Sequence, residues 1–82
     1  MIMKVRTPAD FSAVIRSTRE QRGINQQQLA LICGTTQSAI SRLEKTGVCH
    51  IETLLRACAA LQLQLDISPL EQHQREQDEE TW

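Results

Sequence analysis

Aromatic residues are almost missing from this 82-residue sequence: Phe11 and Trp82 stand alone, without one tyrosine. A core must therefore be built from Leu, Ile, Val, Ala and Cys. A chain this short forms one domain with a small core and gains from a second copy. No apolar run approaches the roughly 18 residues of a membrane span, and no signal-like segment is visible, so a membrane protein is excluded and a cytoplasmic one expected. The parts of an enzyme are missing too. No nucleophile, base and orienting acid form a set, and no glycine-rich loop is present to cradle a phosphate, so neither catalysis nor a cofactor is expected. Cys49 and His50 are adjacent, but no second pair stands at zinc-ligand spacing and His73 lies far along the chain, so no metal site is expected. Cys33 and Cys58 fall on apolar helical faces and read as small core residues in a reducing compartment.

An excess of positive charge is also lacking, since the net charge is −1, which counts at first against a nucleic-acid binder. The distribution matters more than the total. Residues 1–69 hold eight Lys and Arg against five Asp and Glu, a balance of +3, whereas residues 70–82 hold one Arg against five acids, a balance of −4. An acidic tail hides a mildly basic domain. A charge of +3 is modest for gripping a duplex, so strong binding calls for two copies on one DNA.

What the sequence does have is a dense centre, Asn25 to Glu44, where two short helical patterns meet at Gly34 with almost no loop between them. Asn25 caps the first, with Gln28 at its third position completing a capping box. Leu29, Ile32 and Cys33 recur at helical spacing on an inward face, and Ala30 is small enough to admit a crossing helix. Thr35 and Thr36 offer hydroxyl caps for the second helix, whose apolar residues are Ile40 and Leu43. Gln37, Ser38, Ser41 and Arg42 are left on its outer face. Near the start of a short helix, such groups read base edges in a major groove, Gln pairing with adenine and Arg with guanine, although most polar faces of this kind are merely solvated.

Around that centre, Thr7, Pro8 and Asp10 mark the start of an earlier helix by a hydroxyl cap, a proline in the first turn and an acid beside it. Phe11, Val14, Ile15 and Thr18 form its inner face, Arg16, Arg19 and Arg22 lie largely outside, and Gly23 closes it. After Glu44, residues 45–49 form a loop, and Cys49 or His50 is a weak cap for a helix whose inner residues are Ile51, Leu54, Ala57, Cys58 and Leu61. From Leu61 the period changes to alternation. Leu61, Leu63, Leu65 and Ile67 against Gln62, Gln64 and Asp66 signal a strand, with a continuing helix or an ordered extended tail as the alternative. A lone strand has no partner in its own chain beyond the six-residue leader 1–6, itself a possible short strand, and is expected to pair across a dimer through its leucines.

The segment IRSTREQRGINQQQLALICGTTQSAISRLE, continued by TLLRACAALQL, resembles the lambda-repressor-like (Xre or Cro type) helix-turn-helix family. The shared pattern runs through Arg16, Arg19, Gly23, Gln26, Leu29, Ala30, Gly34, Ile40, Ser41, Leu43, Glu44 and Leu54. This resemblance implies an all-α domain of four to five helices over residues 7–61; the alternation adds a dimerisation strand at 62–68, and the acidic tail at 69–82, whose composition cannot form a core, is expected to be disordered. It implies that Gln37, Ser38, Ser41 and Arg42 read bases while Gln26, Thr36 and Lys45 contact phosphates of an inverted-repeat operator in double-stranded DNA. Its start RTPADF and its terminal strand ALQLQLDI further resemble the HipB-type antitoxins, transcriptional repressors of their own operon that bind a HipA-like kinase toxin. On that likeness Trp82, on a flexible tether, is a candidate anchor on the toxin. A degradation signal and an acidic mimic of phosphate are the alternatives for the tail. A stand-alone regulator of phage or restriction-control type, or an adaptor that has lost DNA binding, are the other functional classes.

Overall fold

The computed structural model describes residues 4–67 and Pro69. Among the described residues four helices follow one another, α1 (Pro8–Gln21), α2 (Gln26–Cys33), α3 (Gln37–Thr46) and α4 (Ile51–Ala60), the lower of the two helix numbers expected. The first three begin where local chemistry dictates. The Thr7 side chain accepts the Asp10 N–H while the Asp10 carboxylate accepts the Thr7 N–H, and Asn25 and Gln28 repeat that reciprocal arrangement on α2. Thr36 accepts the Ala39 N–H to cap α3. His50 precedes α4 without a capping side-chain bond, as its residue type leads one to expect.

Gly34, at φ +66°, turns the chain sharply, so that only Gly34, Thr35 and Thr36 separate α2 from α3. At the far end of α3, Gly47 is left-handed at φ +76° and pressed against the start of α1: a Cβ there would lie 2.7 Å from the Pro8 carbonyl carbon. Only glycine meets both demands. α4 closes with Leu63 N–H donated to the Cys58 carbonyl and Gln62 N–H to the Ala59 carbonyl, a Schellman motif in which Gln62, at φ +58°, holds the place glycine usually takes.

The core gathers Ile15 from α1, Leu29, Ala30 and Cys33 from α2, Ile40 and Leu43 from α3, and Ala57 and Cys58 from α4, with Leu61 just beyond it. Two inward assignments and one outward assignment are corrected. Ile32 is 58% exposed and Ile51 69% exposed; on such short helices the contact stripe is narrow, and Ala30 and Ala57 take the crossing points instead. Arg19, expected outside, is buried. It follows Ile15 by one helical turn and so lies on the inner face, where its charge needs a partner. Glu44 supplies it from α3, with Arg19 Nε 2.6 Å from Oε2 and Nη2 3.0 Å from Oε1, and Nη1 donates to the Ile24 carbonyl at 2.8 Å.

Leu61 is fully buried in the core of its own chain, which removes it from any surface a second copy can meet. Leu63 is half-buried against the same core, whereas Leu65 and Ile67 are exposed. Among the described residues, 4–6 and 62–67 form no strand; a ladder needs a neighbour, and one chain supplies none here. Residues 1–3, Ser68 and 70–82, which carry part of both expected strands and the tail with Trp82, lie outside the described residues.

Candidate nucleic-acid interface

The short turn at Gly34 sets α3 across α2 so that α3 buries Ile40, Leu43 and Glu44 and turns its remaining face outward. Gln37, Ser38 and Arg42 are exposed and Ser41 is half-buried. Together with Gln26, Lys45 and Thr46 they line one open depression of about 530 Å³. The residues expected to read bases therefore share a surface with two of those expected to meet phosphate. Thr36 is not among the lining residues; its oxygen already accepts the Ala39 N–H at 3.2 Å.

Thr46 enters the depression unforeseen. It follows Arg42 by one helical turn, a spacing that could have flagged it, and its hydroxyl is used locally, donating to the Arg42 carbonyl and accepting the Val48 N–H. No carboxylate lines the depression, and among the described residues Arg42 and Lys45 make no ion pair. The depression thus offers two cations, two amides and three hydroxyls, together with the amide end of α3, to a large polyanion.

Behind it, Gln26 is half-buried and its Nε2 donates to Glu44 Oε1 at 3.1 Å. The same carboxylate pushes the Arg19 guanidinium pKa upward, outweighing the burial that opposes it. Burial pushes the thiols of Cys33, Cys49 and Cys58 upward, which keeps them protonated and poor nucleophiles. Among the described residues no group of His, Cys, Asp and Glu is arranged to hold a metal ion, and no helix is long and apolar enough to cross a membrane.

A helix-turn-helix family model matches residues 15–68, which takes in the second half of α1 and all of α2, α3 and α4. Among solved structures, the chain is similar to one in a HipA-HipB-O2-O3 complex, at 22% identity and a TM-score of 0.76 over 85% of this chain and 100% of that one. It is also similar to a HipB variant in an O2 20mer complex, at 22% identity and a TM-score of 0.78 over 87% of this chain and 100% of that one. A HipB-O4 20mer complex gives 22% identity and a TM-score of 0.75 over 85% of this chain and 100% of that one. Likeness at this level of identity is likeness of fold. No curated protein sequence matches the chain.

Proposed function

Because this chain belongs to the helix-turn-helix family, we propose that it is a homodimeric, sequence-specific repressor that acts as the antitoxin of a HipA-like toxin-antitoxin operon. The observation that carries the DNA part is the joining of Gln37, Ser38, Ser41 and Arg42 with Gln26 and Lys45 in one carboxylate-free depression. In this reading α3 lies in the major groove. Gln37 takes adenine, Arg42 takes guanine, and the two serines fill the remaining base-edge positions. Gln26, Thr36 and Lys45 meet phosphates, helped by the amide ends of α2 and α3.

Two copies pair through residues 62–68, where Leu63, Leu65 and Ile67 supply the apolar side of a shared two-stranded sheet. Their α3 helices then enter successive major grooves of an inverted repeat, about 34 Å apart or a multiple of that. The HipA-like partner is supported by the HipB-type start and terminal strand of the sequence, and by HipB complexes with operators and HipA among the structures of like fold. Trp82 would anchor the tail in a pocket on that toxin, since a large aromatic is a common centre of binding energy.

The test is co-expression with the neighbouring reading frame, followed by binding of the purified product to the DNA upstream of its own gene. Expected are a dimer by sedimentation, a footprint on an inverted repeat and a co-purifying kinase-like protein. A footprint with no captured kinase would make the chain a stand-alone regulator. No binding to that DNA would remove the repressor reading.

A further inference from the structure

Glu44 sits behind the depression with its side chain only 2% exposed, out of reach of any duplex. Its Oε1 nonetheless accepts two donors, Arg19 Nη2 at 3.0 Å and Gln26 Nε2 at 3.1 Å. We propose that Glu44 is a positioning residue for DNA binding: braced by Arg19, it holds the Gln26 side-chain amide in the pose that meets the DNA backbone. This rests on the DNA-binding reading of the α3 face.

A free glutamine carries conformational entropy into a binding event. Its side chain samples several rotamers when free, and freezing them at the moment of association weakens binding by about two- to tenfold. A hydrogen bond to a fixed carboxylate removes most of that freedom before DNA arrives. The amide nitrogen carries two hydrogens, so giving one to Glu44 leaves the other for a phosphate oxygen. A bare carboxylate in this place would repel the phosphates that the amide is meant to meet. Arg19 cancels that charge, with Nε 2.6 Å from Glu44 Oε2, and its own bond to the Ile24 carbonyl ties the anchor to the loop that leads into α2. The pair therefore fixes Gln26 without adding net negative charge to the interface. No other partner of the Gln26 side chain is present among the described residues.

One change that weakens the anchor and one that removes it separate its effect from folding. Glu44→Gln keeps the shape but strands the Arg19 charge, whereas Arg19→Met with Glu44→Leu replaces the buried pair by apolar side chains of similar volume, a change that folded proteins often tolerate. Each is made in the parent and in a Gln26→Ala background. Three quantities are read: thermal stability, affinity for a mixed-sequence duplex at low salt, and the nitrogen-proton NMR signals of the Gln26 side-chain amide. In the parent the two amide protons should be well separated, and in the apolar pair they should collapse toward those of a free glutamine. Affinity should fall about two- to tenfold in the parent background and no further once Gln26 is alanine. Unchanged Gln26 amide signals in the apolar pair, or an equal loss of affinity in the Gln26→Ala background, would overturn the proposal. A parent that binds no duplex would overturn the DNA-binding reading itself, and amide signals that still collapse in that case would reduce Glu44 to a purely structural residue.

Discussion

The seam between α1 and α3 and the region from α4 onward solve the same problem of closing a small aromatic-poor core in opposite ways. At the seam every strong polar group has a partner: Arg19 and Glu44 satisfy each other, Gly47 lies against Pro8, and both helices start on a bonded cap. Beyond Thr46 the chain enters α4 on His50 without a cap, leaves it through a left-handed Gln62, and exposes Ile51, Leu55, Leu65 and Ile67. The difference shows which part is complete alone. The polar groups of the seam close within one chain, whereas apolar surface stays open along the α4 end and, on α2, at Leu31 and Ile32.

The seam should be the easier half to break. Gly47→Ala combines a left-handed residue, which costs about 1–3 kcal/mol in itself, with a Cβ that drives against Pro8. The expected loss is at the top of that range or beyond it, enough to unfold much of so small a domain, and thermal melting by circular dichroism would measure it. A melting temperature within a degree or two of the parent's would show that α1 gives way freely, and that the seam is looser than the geometry implies.

The α4 end should instead be improvable. His50→Thr supplies the missing hydroxyl at the helix start and should add about 1 kcal/mol, read as a higher midpoint in urea. Were the midpoint unmoved, the α4 start would be limited by packing rather than by its cap, and the contrast with Thr7, Asn25 and Thr36 would lose its meaning.

A smaller effect separates the capped start of α1 from the uncapped start of α4 by pH. The Asp10 carboxyl lies below its ordinary value of 3.8, chiefly because it accepts the Arg6 backbone N–H, with Thr7 adding to it. A depressed folded-state pKa means stability that is present above 3.8 and lost as pH falls through the lower folded value. Asp10→Asn should therefore be less stable than the parent at neutral pH, and the gap should close in acid. A gap independent of pH would assign the loss to packing.

How much of this was legible in the sequence follows the reach of each interaction. Caps are local: Thr7 with Asp10, Asn25 with Gln28 and Thr36 before α3 lie within three residues of their partners, so residue type and spacing specify them. The polar outer face of α3 was readable for the same reason, since Ile40 and Leu43 fix which side is buried. Arg19 was misplaced because its residue type pointed outward while its position, one turn after Ile15, pointed inward, and the Glu44 that settles the conflict lies 25 residues away. Ile32 and Ile51 were misplaced because apolar character marks what is able to be buried; it does not specify which neighbour is present to bury it. Leu61 belonged to two patterns at once, the end of a helical stripe and the start of an alternation, and packing into its own core decided between them.

The most direct test of the account is the affinity of Gln37→Ala and Arg42→Ala for the protein's own upstream DNA, measured by fluorescence anisotropy beside the same measurement on a mixed-sequence duplex. Both side chains line the depression, and the core residues Ile40 and Leu43 lie on the opposite face of α3, so both variants should fold normally. Each should lose about 1–3 kcal/mol on the upstream DNA, and the loss on the mixed duplex should be slight for Gln37→Ala and limited to one charge for Arg42→Ala. Full affinity for the upstream DNA in both variants would contradict the assignment of the α3 face as the surface that reads sequence.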